Sequence, residues 1–138
     1  RTYKYLIVNR ISPLALNPNR AWHVKKKLDH KLMKKSLKLL KGTHDFSTFR
    51  ASSCEAKSPV RTIKDVKLNK KKDTIEIVFI SKSFLQNQVR SMVGAIKYVG
   101  EKRWPLSLFK KKFKSKKRSN CAPPAPAHGL YLQKVEYK

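Results

Sequence analysis

The chain alternates apolar and polar residues, in the two-residue period of a strand, along four segments. The first is Tyr3–Ile11, and two further segments, Thr62–Leu68 and Thr74–Ile80, are rich in β-branched residues. The polar residues 69–73 between these two are typical of a turn, so the pair predicts a β-hairpin. Apolar residues within 130–135 predict a last strand.

Three other segments space their apolar residues as an amphipathic helix does. The first, Leu28–Leu40, has Asp29 in position to cap its N-terminus and Gly42 just beyond its end. The strongest such pattern is Leu85–Gly100, and a shorter one is Trp104–Phe113. Each of the three segments therefore predicts a helix with one buried face.

The remaining segments contain residues that interrupt regular structure. Pro13 and Pro18 are predicted to end the first strand, and the polar stretch 42–59 is predicted to be a loop anchored by two phenylalanines. Three prolines make 121–128 a second loop. The order of elements predicts one α+β domain, with a mainly antiparallel sheet and helices packed on one of its faces.

The charge of the chain is far from balanced. Its 138 residues include 34 Lys and Arg against 8 Asp and Glu, a net charge of +26. Such a surface repels itself unless a polyanion or counterions lie against it, so nucleic acid is the first candidate partner. Because most of the basic residues are lysines, a general compositional bias is the alternative explanation.

Several other classes of protein have no support in the sequence. No apolar run approaches the roughly 18 residues of a membrane span, and no signal-peptide pattern is present. Cys54 and Cys121 form neither a disulfide framework nor a zinc motif, which favours a reducing compartment. The four histidines lack metal-ligand spacing, and neither a catalytic triad nor a Gly-rich phosphate loop occurs, so we expect no metal site.

Two features could carry chemistry. Arg90 lies at the edge of the apolar stripe of the strongest helix, and Gly94 leaves space beside it. Its guanidinium is therefore either half-buried and in need of an anion, or extended into solvent. Tyr3 and Tyr5 share one face of the first strand, where they pack in the core or present a ring to a base. Taken together, the patterns in the sequence predict a basic α+β domain that binds RNA or DNA.

Five short motifs follow one another along the chain. They are 3–5 (YKY), 42–46 (GTHDF) with 49–51 (FRA), 61–63 (RTI), 84–94 (FLQNQVRSMVG) and 127–132 (AHGLYL). In this order and spacing they resemble the C-terminal half of the tRNA pseudouridine synthase A (TruA) family. The resemblance implies that 1–138 is the C-terminal domain of such an enzyme. The family's catalytic aspartate lies in a G-R-T-D-A-G-V-H motif of the N-terminal half, which is absent here.

The resemblance also implies an activity and partners. Enzymes of this family isomerise uridine to pseudouridine in the anticodon stem-loop of tRNA, without a cofactor or a metal. They are typically homodimers, and the implied location is the bacterial cytoplasm or an organellar matrix. Because the aspartate motif is missing, this chain alone is expected to be inactive.

Three residues correspond to functional positions of the family, and a fourth, Arg50, is expected from its charge. Tyr3 resembles the family's active-site tyrosine, which stacks against the target base. Arg90 resembles the arginine that pairs with the catalytic aspartate, and Leu130 resembles the apolar residue that lines the base pocket. Arg50 is expected to bind substrate through an RNA phosphate.

Two other functions remain open at this point. A non-catalytic RNA-binding scaffold with a synthase-like fold, in a ribosome or its assembly complex, would explain both the lysines and the missing aspartate. A sequence-specific DNA-binding domain would explain the charge, but the sequence contains neither a helix-turn-helix nor a zinc-finger pattern.

Overall fold

The computed structural model describes residues 1–12, 20–51, 54 and 56–134, and within them six strands form one sheet. The strands are β1 (Thr2–Asn9), β2 (Trp22–Val24), β3 (Gly42–Asp45), β4 (Val60–Lys71), β5 (Thr74–Ser81) and β6 (Leu130–Lys134). They lie in the order β2-β1-β5-β4-β3, and β6 also pairs with β1. All pairings are antiparallel except that of β1 with β2. The predicted α+β fold with a mainly antiparallel sheet is confirmed.

Strand β1 lies in the interior of the sheet and organises it. Its whole length pairs with β5 on one edge. The other edge is shared, with β6 opposite the first half of β1 and β2 opposite the second half. The last strand of the chain is therefore placed directly against the first.

Three helices follow the predicted segments. They are α1 (His30–Leu39), α2 (Gln88–Gly100) and α3 (Leu106–Ser115). The predicted cap of α1 is confirmed, because Asp29 Oδ1 accepts hydrogen bonds from the backbone N–H groups of Lys31 and Leu32 at 3.1 and 3.2 Å. The end of α2 at Gly100 is also as predicted.

One hydrophobic core lies between the helices and one face of the sheet. Tyr5 and Ile7 of β1 are fully buried, as are Ile75, Ile77 and Phe79 of β5. These side chains belong to the same apolar cluster as residues from all three helices. The intervening residues of β1 point to the opposite face and are only partly buried. The helices therefore cover one face of the sheet, as the sequence predicts.

The prediction of a loop over 42–59 is wrong for its first four residues, which form a strand at the edge of the sheet. Gly42–Asp45 pairs with the beginning of β4. A strand at the edge of a sheet needs no alternating apolar residues, so this short polar segment gave no strand signal. The remainder is anchored as predicted, because Phe46 and Phe49 are buried in the core.

The hairpin and helix α2 differ from the prediction in their bounds. Strand β4 extends to Lys71, so the hairpin turns at two residues instead of five. Helix α2 begins at Gln88, three residues later than predicted, because Asn87 before it has a left-handed backbone conformation with φ of 60°. The Oε1 atom of Gln88 accepts a hydrogen bond from the backbone N–H of Leu85 at 2.8 Å. Leu85 is nevertheless buried, as its spacing indicated.

Strand β2 was not predicted, since three residues are too few to establish a period. Pro13 and Pro18, which were predicted to end the first strand, lie outside the described residues. So does Val135 of the predicted last strand, whose described part is β6.

Candidate functional site

The segment that leads into β6 lies along helix α2 and holds one arginine. This segment, Cys121–Pro126, is called the proline strap below. The Nε atom of Arg90 donates a hydrogen bond to the carbonyl oxygen of Ala125 at 2.7 Å. The backbone N–H of Ala125 donates in return to the carbonyl oxygen of Arg90 at 2.9 Å. These two bonds fix the strap to α2 and fix the inner part of the guanidinium.

Gly94, one helical turn beyond Arg90, permits this close approach. A Cβ atom at Gly94 would lie 2.1 Å from the carbonyl oxygen of Pro123 and 3.3 Å from the Cα atom of Pro124. Both are backbone atoms, which cannot rotate away as the end of a long side chain can. The expected space beside Arg90 is therefore real, and the strap fills it.

Tyr5 of β1 holds the next carbonyl group of the strap. Its side chain is fully buried, and its hydroxyl donates to the carbonyl oxygen of Pro126 at 2.5 Å. Gly129 packs against the ring, since a Cβ atom there would lie 2.7 Å from a ring carbon. Burial raises the pKa of Tyr5 well above its ordinary value, although the charge of Arg90 acts in the opposite direction. The hydroxyl is thus a neutral donor at neutral pH.

Tyr3 lies two residues before Tyr5, about 7 Å away along β1, and points to the same face of the strand. Its ring is half-buried and meets the ring of Phe84 edge to face, with centroids 5.2 Å apart. Leu130 of β6 lies opposite Tyr5, and Leu132 lies opposite Tyr3. Directly paired residues of antiparallel strands share a face. Because Leu132 is 52 % exposed, this end of the sheet offers an accessible apolar and aromatic surface.

In the described part of the chain, Arg90 has no acidic partner. The ion pairs found there are Lys4–Glu76, Arg10–Asp73, Lys41–Asp65 and Lys97–Glu101. Since Nε is bound by the strap, the two terminal nitrogens are the part of the guanidinium left for an anion. Arginine commonly binds carboxylates and phosphates through such a pair of N–H groups.

Three of the four predicted site residues lie at one end of the fold. Arg90 is joined to the strap, the strap is joined to Tyr5, and Tyr3 and Leu130 flank Tyr5. The sequence left open whether this guanidinium is half-buried or extended into solvent, and in the structure Arg90 is half-buried.

Arg50 occupies a different place. It follows a short 3₁₀ turn, Ser47–Phe49, and its Nη1 atom donates to the carbonyl oxygen of Ala56 at 3.4 Å. Its own carbonyl oxygen accepts a hydrogen bond from Nε of Arg118 at 2.8 Å. Among the described residues, the hydrogen bonds of Arg50 reach Ala56 and Arg118 and neither the strap nor Tyr3, so Arg50 lies outside their immediate site.

Sequence reasoning missed two parts of this arrangement. The hydroxyl of Tyr5 was not identified as a partner of the strap, because the bond joins residues 121 positions apart. Leu132 was assigned only to a strand, and its position opposite Tyr3 depends on the register of β6 with β1. The available signals were the shared face of Tyr3 and Tyr5, the prolines of the strap and the glycine one turn after Arg90.

Other kinds of site have little basis in the described residues. They contain no group of three or more His, Cys, Asp or Glu side chains that could hold a metal ion. Among the same residues, none of the helices has the length and apolar character needed to cross a membrane. The site is therefore described by one cation, two tyrosines and apolar side chains.

Comparisons with known proteins agree on one family. A family model described as tRNA pseudouridine synthase matches residues 37–138. The tRNA pseudouridine synthase A of Pelagibacter ubique is 60% identical over 137 residues, which are 99% of this chain. The proteins of the same name from Parvibaculum lavamentivorans and Xanthobacter autotrophicus are 46% and 44% identical, over 100% and 99% of the chain.

The chain spans little more than half the length of these relatives, 56% in each case. The matched residues include Arg90, the strap and Leu130, and the alignments with the relatives extend over nearly the whole chain. The chain belongs to the tRNA pseudouridine synthase family.

Proposed function

We propose that the protein containing this chain is a tRNA pseudouridine synthase, and that the chain is its C-terminal domain and forms half of the active-site cleft. The observation that carries the proposal is the guanidinium of Arg90, which the strap holds while its terminal nitrogens face no carboxylate of the described residues. A half-buried cation is costly unless an anion lies close to it. The anion that completes the site is a carboxylate supplied by another part of the protein.

The reaction needs a carboxylate that stays ionised and correctly directed. Conversion of uridine to pseudouridine breaks the bond from ribose C1′ to uracil N1 and forms a bond from C1′ to uracil C5. The C5 carbon loses a proton and N1 gains one, so the reaction involves no oxidation or reduction. A guanidinium that pairs with the carboxylate favours its ionised form and fixes its orientation toward the ribose.

The tyrosine and the leucine have complementary roles in this proposal. The ring of Tyr3 offers a stacking surface for the uracil, and base–aromatic stacking contributes about 1–3 kcal/mol. Leu130 forms an apolar wall beside it, and Leu132 extends that wall. Apolar walls exclude water, which strengthens the pairing between the arginine and the carboxylate.

The partner in this proposal is the anticodon stem-loop of tRNA. The net charge of +26 suits a polyanion, and each phosphate that a lysine or arginine neutralises releases counterions. Arg50 lies apart from the uracil site and is assigned a phosphate contact. A uridine in a stem must be turned out of its base pair to reach Tyr3, at a cost of a few kcal/mol.

Two further parts of the proposal rest on the family. We propose that the protein forms a homodimer, which is the commonest closed assembly of soluble proteins. We place it in the bacterial cytoplasm or an organellar matrix, in keeping with its bacterial relatives.

The test uses the full-length protein and a tRNA transcript that carries tritium at uracil C5. The expected result is catalytic release of tritium and pseudouridine in the anticodon stem-loop. A matched transcript with cytidines at the stem-loop uridines should release none. Tight tRNA binding without tritium release would reject the enzyme and favour the scaffold, and preferential displacement of tRNA by duplex DNA would favour a DNA-binding protein.

A further inference from the structure

Two side chains from different elements hold neighbouring carbonyl groups of the proline strap. Arg90 donates from α2 to the carbonyl oxygen of Ala125, and Tyr5 donates from β1 to the carbonyl oxygen of Pro126. The two donors are 85 positions apart in the sequence, yet their acceptors are consecutive residues. The position of the strap, and with it the acceptor of Arg90, is therefore set by both elements.

The hydroxyl of Tyr5 is otherwise unnecessary at its position. The ring lies fully buried in an apolar cluster, where a phenylalanine would fill nearly the same space. A buried hydroxyl is costly unless it forms a hydrogen bond, and the hydroxyl of Tyr5 donates to Pro126 of the strap. The hydroxyl thus has one evident effect, which is to hold Pro126 against β1.

The strap itself has little regular structure to hold it. Its residues are neither helix nor strand, and its prolines have no N–H group to donate. Several contacts locate it against α2 and β1: the paired backbone and side-chain bonds at Ala125, the close approach at Gly94, the bond from Cys121 Sγ to the carbonyl oxygen of Ser91, and the bond from Tyr5.

We propose that Tyr5 is a positioning residue for Arg90 and acts through the strap. Its hydroxyl fixes Pro126, the adjoining Ala125 carbonyl holds Nε of Arg90, and the terminal nitrogens of Arg90 are thereby aimed at the carboxylate. This inference rests on the proposed function, because it requires Arg90 to act in the reaction. A displacement of about 1 Å in a group that orients the reacting atoms can reduce a rate up to about a hundredfold.

The experiment compares Tyr5→Phe with Tyr131→Phe in the full-length protein. Tyr131 is the matched control, since its hydroxyl also donates to a backbone carbonyl oxygen, that of Arg20, at 2.7 Å. Tyr131 pairs with Lys4 and so lies on the opposite face of the sheet from Tyr5. We expect Tyr5→Phe to lower kcat about tenfold or more with KM nearly unchanged, and Tyr131→Phe to change neither.

A second readout follows the geometry without using activity. Hydrogen exchange at Nε of Arg90, measured by nitrogen-15 NMR, should quicken in Tyr5→Phe and stay unchanged in Tyr131→Phe. Placing 4-aminophenylalanine at position 5 restores a donor and should restore both slow exchange and kcat. That variant also keeps the inference testable if Tyr5→Phe fails to fold.

The outcomes separate this inference from the proposed function. Unchanged exchange and unchanged kcat in Tyr5→Phe would overturn the positioning role. Equal losses in Tyr5→Phe and Tyr131→Phe would also overturn it, because they would indicate a general loss of stability. If the wild-type protein forms no pseudouridine, the proposed function is rejected. If hydrogen exchange at Arg90 is nevertheless faster in Tyr5→Phe than in the wild type, the structural link from Tyr5 to Arg90 is retained.

Discussion

Replacement of Gly94 by alanine perturbs the strap from the side of the helix. The added Cβ atom would lie 2.1 Å from the carbonyl oxygen of Pro123, whereas ordinary contacts of a Cβ atom begin at 3.4 Å. The strap must therefore recede from α2 by about 1 Å, because the obstructing atoms belong to its backbone. Ala125 is two residues from Pro123, so the acceptor of the Arg90 Nε–H is displaced as well.

The expected energetic effect is the sum of two opposed terms. Overpacking of a tight contact costs about 1–3 kcal/mol. Alanine in place of glycine in a helix interior contributes about 1 kcal/mol in the favourable direction. We therefore expect the free energy of unfolding to fall by about 1 kcal/mol, a modest loss that leaves the protein folded. The effect on kcat should be larger, up to about a hundredfold, because the acceptor that orients Arg90 moves.

Gly100→Ala provides the control within the same helix. A Cβ atom at Gly100 would meet the Sδ and Cγ atoms of Met33 at 2.6 and 2.7 Å, so this variant also crowds α2, but against a core side chain and away from the strap. Urea unfolding and kcat should be measured for both variants in the full-length protein. If kcat falls no further in Gly94→Ala than in Gly100→Ala, the strap does not constrain Arg90 and the reasoning fails.

Two other predictions concern single titrating groups. Burial raises the pKa of Cys121 to about 11, whereas backbone N–H groups of Ala56 and Gln86 hold that of Cys54 below its usual value. Cys54 should therefore react with iodoacetamide before Cys121 at pH 8 in a peptide-mapping experiment, and the reverse order would contradict the assignment. The backbone N–H of Leu32 lowers the pKa of Asp29 in the folded protein. The negative charge of Asp29 therefore stabilises the fold fully above the pKa of about 3.9 that Asp has in the unfolded chain. This stabilisation is lost as the pH falls through the lower pKa of the folded state. The Tm difference between wild type and Asp29→Asn should accordingly shrink from pH 5 to pH 2, and a difference that grows would refute the helix-cap interpretation.

Local signals in the sequence were sufficient for most of the fold. The helices carry strong apolar periodicity, and the Asp29 cap and the Gly100 end are properties of a few neighbouring residues. The same reasoning failed at Gly42–Asp45 and Trp22–Val24, because these short strands exist only through pairing with distant strands. A three- or four-residue strand has no period of its own to detect.

The candidate site was only partly predictable for a related reason. The position of Arg90 on the edge of an apolar helix face, with Gly94 one turn away, left a half-buried guanidinium and a solvent-exposed one as alternatives. What holds it could not be derived from spacing, since Ala125 lies 35 residues further along the chain. The place of Leu130 beside Tyr5 likewise depends on how the last strand aligns with the first. The ordered motifs related Tyr3, Arg90 and Leu130 to one site through the family resemblance, but they gave neither the contact at Ala125 nor the register of the last strand.

The central claim is that the guanidinium of Arg90 acts in the isomerisation of uridine. Its most direct test is the single-turnover rate of pseudouridine formation in tRNA by the full-length protein. The rate is measured for Arg90→Ala and, as a control, for Arg103→Ala. Arg103 is exposed and lies 4.5 Å from the ring centre of Tyr98. We expect a loss on the order of a hundredfold to a thousandfold for Arg90→Ala and almost none for Arg103→Ala. Arg90→Lys should not restore the rate, since lysine lacks the Nε donor that the strap binds. A rate for Arg90→Ala equal to that of Arg103→Ala would contradict the account.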